Sequence, residues 1–196
     1  MKNKKVILLG ITVLIIIIIM GLILYKNTFN LNASDKIKPS RIDDLSSLIL
    51  TSEDFPQNQG WTLKDRVERA RSDVSERGLA LGWKRGYYAS YIRGDLKLEN
   101  LDYSRFDVFI SEYPPENITM AFLNVTESND IIYDSLSDPR IGDESRVYKE
   151  THAGDTNTYY TLEFRKGTIY VRTFMYGIRT DFQLLKDLTE KIEAKI

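Results

Sequence analysis

Cysteine is absent from this 196-residue chain, and histidine occurs once, as His152. Without thiolates there is no disulfide, no Cys–His nucleophile pair and no lipid-bearing cysteine at the amino end, and a single histidine cannot build a His/Cys zinc site. The lack of disulfides says nothing about compartment, because a domain of this size does not need such staples. The signatures G-x-S-x-G, S-x-x-K, H-E-x-x-H, the Walker-type phosphate loop and G-x-G-x-x-G are missing as well. No catalytic residue, metal site or cofactor is therefore expected, and the chain reads as a non-enzyme. Internal repeats and low-complexity tracts are also lacking.

Charge is missing where its absence matters most. Val6 to Tyr25, VILLGITVLIIIIIMGLILY, contains no charged side chain, and twenty residues of helix are long enough to cross the hydrocarbon core of a bilayer. Its fifteen Ile, Leu and Val residues favour insertion by roughly 5 to 9 kcal/mol. A cleaved signal peptide has a shorter apolar stretch and an A-x-A-like site, and neither feature is present. A buried core helix would need more protein around it than the preceding residues supply. The segment reads as an uncleaved signal anchor whose partner is the lipid bilayer. Lys2, Lys4 and Lys5 on its amino side place that end in the cytoplasm, against Lys26, Lys36 and Lys38 on the other side.

Three parts follow: a cytoplasmic stub and transmembrane anchor over 1–25, a polar stalk over 26–40 ending near Pro39, and an extracytoplasmic domain over 41–196. The last part is long enough for one core. Outside the membrane segment and its basic flank, 24 Lys and Arg face 28 Asp and Glu, a balance that disfavours nucleic acid as a partner. Asn32, Asn117 and Asn124 each begin an N-x-S/T sequon and are candidate glycosylation sites.

The apolar periodicity of the domain alternates between helix and strand. Ile42, Leu45, Leu48 and Ile49 form a short docking helix that stops before Pro56. Lys64 to Leu81 reads as a solvated helix with a narrow stripe of Val67, Ala70, Val74 and Leu81, although Trp61, Leu63 and Val67 also suit a strand. Gly86 to Arg93 and Ser104 to Tyr113 alternate as strands, with Phe106, Val108 and Ile110 on one face. Pro114 and Pro115 then open a core-facing helix through Ile118, Ala121, Phe122 and Val125. Thr158 to Arg165 and Thr168 to Tyr176 flank Lys166-Gly167 and form a hairpin, which sets Phe164 opposite Ile169, Leu162 opposite Val171 and Tyr160 opposite Thr173. Arg179 to Ile196 is a helix whose stripe of Phe182, Leu185, Leu188, Ile192 and Ile196 must lie on the sheet. The fold class is α+β: an antiparallel sheet of about five or six strands flanked by helices, preceded by the transmembrane helix.

Three places in this frame invite a chemical reading. His152, in THAGDTN, is expected in an exposed loop between two strands. The stretch Glu127, Asp130, Asp134, Asp138, Asp143 and Glu144 holds Arg140 as its one base, but its spacing is not that of a calcium loop, so it reads as a solvated acidic connection in which Gly142-Asp143 turns into a strand through Val147. The third is the second sheet face: Tyr159, Glu163, Tyr170, Arg172 and Phe174 with Tyr88 and Phe109. It is either a binding face, for a protein in the membrane or envelope or a small ligand, or a surface that a second helix covers. A hydrolase is the alternative reading, and it requires at least two of Asp107, Glu163 and Asp143 to gather in a pocket.

LSSLILTSEDFP, Gly60-Trp61, GWKRGYY from Gly82, SEYPPENITMAF, IGDES from Ile141, FRKG and LLKDLTEKIEAKI occur in an order that resembles small membrane-anchored, lipoprotein-like extracytoplasmic domains of the PsbP-type fold. The resemblance implies an antiparallel sheet between helices and an accessory or binding role, with a transmembrane helix where those relatives carry a lipidated cysteine. The motifs are structural, and no functional residue carries across.

Overall fold

The computed structural model describes residues 42–57, 59–94, 104–123, 131–152, 157–177 and 180–196. The expected membrane segment Val6 to Tyr25, the stalk, Asn32, Asn124, Val125, Glu127, Asp130 and Arg179 lie outside the described residues. Among those described, no helix is long and apolar enough to cross a membrane.

A single antiparallel sheet in the order β1-β2-β3-β7-β6-β5-β4 organises the described chain. Its strands are β1 (Trp61–Glu68), β2 (Arg85–Arg93), β3 (Ser104–Glu112), β4 (Ile131–Ser135), β5 (Glu144–His152), β6 (Thr158–Lys166) and β7 (Ile169–Gly177). Short helices α1 (Glu76–Ala80) and α2 (Ile118–Leu123) precede the longer α3 (Phe182–Glu193). The α+β class stands, with more strands than expected. The added strand is β4, inside the stretch read as an acidic connection: five residues of IIYDS pair with β5. That pairing, not local alternation, makes them a strand.

The larger correction concerns Lys64 to Leu81. Instead of one helix, the chain completes β1 at Glu68 and only later forms α1. β1 lies at the sheet edge, where charged side chains are tolerated on both faces, so its charges imitate a solvated helix. A register shift between Leu63 and Asp65 leaves Lys64 unpaired and turns Val67 to the face opposite Leu63.

One sheet face carries the core. Ala89, Tyr91, Phe106, Val108, Ile110, Val147, Leu162, Phe164, Val171 and Met175 are buried there, and α3 covers them with Leu184, Leu185, Leu188 and Ile192. The expected stripe is thus correct, with the helix beginning at Phe182 after an Asp181 cap on Gln183 N. The amino-terminal segment docks on the same face. It forms two short 3-10 helices, Leu45–Leu48 and Ser52–Asp54, in place of one α-helix, and Leu45, Leu48, Ile49, Leu50 and Phe55 are buried. Tyr91 donates its hydroxyl proton to Leu50 O at 2.8 Å, and Lys195 Nζ reaches Ile49 O at 3.1 Å.

The hairpin forms with its register displaced by two residues. Phe164 faces Val171, Leu162 faces Thr173 and Tyr160 faces Met175, while Lys166 and Ile169 close a turn of Gly167 and Thr168. An even shift preserves the faces, so β7 still alternates between buried and partly exposed along its length. Gly167 has φ 56°, as a tight hairpin turn requires. The expected turn at Gly142 is also present. Its φ is 65°, and Asp143 N donates to Arg165 O at 2.8 Å as β5 begins. His152 is the last residue of β5, paired with Ile131, and not a loop residue; pairing with the unforeseen β4 extends the strand to it.

Candidate functional site

Strand register arranges the face opposite the core into rows. From β2 to β6, one row reads Ile92, Arg105, Tyr176, Tyr159; the next Ser90, Asp107, Phe174, Thr161; the third Tyr88, Phe109, Arg172, Glu163; and the fourth Gly86, Ser111, Tyr170, Arg165. All seven residues expected to share this face do so. Six are partly exposed, and Glu163 is buried. The face was expected to be either open or covered by a helix, and its fourth row meets such a cover. Phe122 of α2 meets Tyr170 edge-on at 6.5 Å and lies 4.5 Å from the Arg146 guanidinium. Arg69 Nη1 donates to Ser111 Oγ at 3.1 Å, with its guanidinium over Phe109. Trp83 closes against Gly86, where a Cβ would lie 3.0 Å from the indole.

The other three rows carry two polar networks and two ring clusters. Glu163 accepts from Arg146 Nε at 2.6 Å and from the Tyr170 hydroxyl at 2.6 Å, while Arg172 stands at 3.5 Å. The expected Glu163–Arg172 pair is therefore secondary to Arg146, a residue of β5 that only tertiary pairing brings there. Burial and the adjacent Glu163 charge push the Tyr170 phenol well above its ordinary range, so it stays protonated as a donor. In the second network, Asp107 Oδ1 accepts from Arg105 Nε at 2.9 Å and from the Tyr88 hydroxyl at 3.2 Å. Burial is the largest single influence on Arg105 and opposes its charge, but the hydrogen bond and negative charge of Asp107, with the Tyr88 hydroxyl and Tyr176, together outweigh it and raise the pKa. Tyr159, Phe174 and Tyr176 form a cluster with centroids 5.3 to 5.9 Å apart, and Tyr88 lies 4.8 Å from Phe109. Tyr176 belongs to this surface and was not among the expected residues, although extending the β7 alternation by one step finds it.

The three carboxylates of the hydrolytic reading occupy separate networks. Asp107 on β3 and Glu163 on β6 have β7 between them, which places their backbones roughly 10 Å apart. Asp143 lies beyond the sheet end, bound to Gly167 N at 2.8 Å and near Arg165. Among the described residues, no group of three or more His, Asp or Glu side chains is placed to hold a metal ion. Asn117 donates its side-chain amide to Leu81 O at 3.1 Å, and a glycan on that nitrogen would leave it one N–H for this bond. A shallow recess of about 450 Å³ lies elsewhere, between Asp54–Pro56 and α3, and contains none of the expected site residues.

No protein-family model matches the chain, and no curated protein matches it. Among solved structures, the extracellular domain of PknH from Mycobacterium tuberculosis is similar in fold, with a TM-score of 0.56 and 9% identity over 81% of this chain and 97% of that one. At that identity the likeness is one of architecture.

Proposed function

We propose that the chain is a single-pass membrane protein, anchored through Val6 to Tyr25 with its amino end in the cytoplasm, that presents residues 41–196 outside as a non-catalytic binding or accessory module. The likeness to an extracellular domain supports an outward-facing module, and the PsbP-type resemblance is kept as a finer reading of the same architecture. One observation carries the binding role: three rows of the outer sheet face expose rings and an arginine over charges that are already paired. Tyrosine and arginine supply much of the energy of protein interfaces, and paired charges beneath them spare a partner the cost of desolvating lone ions. The partner class is a protein of the same membrane or envelope.

A photo-crosslinking side chain placed at Tyr176 in the full chain tests this in intact cells. Adducts with another protein are expected from Tyr176 and not from Gln183, which lies exposed on α3. Equal labelling at both positions would remove the face from consideration. External protease should digest the domain in intact cells, and protection would overturn its placement.

A further inference from the structure

β1 pairs with β2 on one side, and no described strand pairs with its other side. All of it beyond Trp61 is exposed, including Val67 at 52%. An edge of this kind is a template for another strand. Past the irregularity at Lys64 the chain runs regularly as Asp65-Arg66-Val67-Glu68-Arg69, and Arg69 N donates inward to Gly86 O at 2.9 Å. Backbone groups alternate in direction along an antiparallel strand, so those of Arg66 and Glu68 face the open edge.

These five residues are complementary in charge to their own reversal. We propose that β1 pairs antiparallel with β1 of a second copy about a twofold axis at Val67. Arg66 then lies opposite Glu68 of the second copy, and Glu68 opposite its Arg66, each pair exchanging N–H···O bonds. Val67 meets Val67 in the closer, non-hydrogen-bonded pairing, where cross-strand side chains interact best. Asp65 lies opposite Arg69. Arg69 already reaches Ser111 Oγ and Asp73 O, and Arg66 donates one bond to Ser46 O at 3.2 Å with its guanidinium over Tyr87, so recognition rests mainly on the valine contact and on the donors that Arg66 has left for Glu68. Among the described residues Asp65 and Glu68 make no ion pair within the chain, so they are available.

The faces agree as well. Arg66 and Glu68 point to the core side, and Asp65, Val67 and Arg69 to the other, so the two sheets join without a flip, as an isologous contact requires. A twofold axis perpendicular to the sheet keeps both Ile42 residues, which pack on the core side, on one side of the joined sheet. Two chains leaving one membrane need that arrangement. The register shift at Lys64 ends the pairing and limits its strength.

Because the chain has no cysteine, single-cysteine variants of the full chain in its own membrane read the register directly. Under mild oxidation Val67→Cys is expected to give roughly fivefold more disulfide dimer than Arg66→Cys or Glu68→Cys alone, because only Val67 faces itself at bridging distance. Arg66→Cys and Glu68→Cys expressed together should cross-link to each other. Arg66→Glu should reduce the Val67→Cys dimer, and adding Glu68→Arg should restore it. A Val67→Cys yield no greater than that of its neighbours, or a yield indifferent to Arg66→Glu, overturns the self-pairing. A heterologous strand on this edge would give the same negative result, leaving the sheet-face reading to its own test.

Discussion

Arg146 on β5 and Glu163 on β6 meet across adjacent strands at 2.6 Å, with side chains 18% and 6% exposed. Phe122 stacks on the arginine and Tyr170 donates to the carboxylate, so one ion pair joins α2 to the sheet. Removing one member of a buried pair strands the other's charge, which costs about 3–5 kcal/mol. Glu163→Ala should therefore lower the free energy of denaturant unfolding by that amount. Replacing both residues together with apolar side chains should cost much less, and a loss equal to that of the single variant would contradict the ion-pair account.

Gly142 provides a test that depends on the backbone. At φ 65° a Cβ would lie 2.5 Å from Arg165 O. Gly142→Ala should cost about 2 kcal/mol or more, read as a fall in melting temperature, because the turn that starts β5 cannot relax without breaking the Asp143–Arg165 backbone bond.

Ser90 should show the opposite sign. Its hydroxyl is fully buried in the second row and has no hydrogen-bond partner among the described residues. Such a group carries a desolvation cost without a return. Ser90→Ala is expected to be neutral or to stabilise by up to about 1 kcal/mol, and a loss in the same unfolding measurement would show that the hydroxyl is satisfied.

Stability should decline on the alkaline side. Burial raises the pKa of Tyr91 and of Tyr170 above the ordinary value of 10.0. In the unfolded chain both phenols ionise near that value, while in the folded chain they keep their protons. Their contribution is therefore complete below about pH 10 and is lost as pH rises through the raised folded values. Unfolding free energy measured from pH 9 upward should fall, and Tyr91→Phe should flatten the fall while losing the bond to Leu50 O at every pH. An unchanged slope would refute the assignment.

The parts of the fold that were legible are those set by local alternation. β7 was readable because its period of two survives even a two-residue error of register, and α3 because Leu185, Leu188 and Ile192 recur at helical spacing. β4 was not readable, and β1 was readable only as the alternative to a helix. Their identity depends on β2 and β5 lying beside them, and charge on an edge strand resembles charge on a solvated helix. At the candidate site the seven shared-face residues, and Arg105 with Phe109, followed from strand parity, whereas the pairing of Arg146 with Glu163 required knowledge of which strands are neighbours.

By itself the sequence determined an apolar segment of membrane-spanning length, a chain without thiol chemistry, an α+β pattern and the side of the sheet on which each hairpin residue falls, because composition and period are local properties. Strand order, the true partner of Glu163, the separation of Asp107 from Glu163 and the open edge at Val67 were decided only by tertiary structure. Each depends on which distant segments the shared core draws together, and no local pattern encodes that choice.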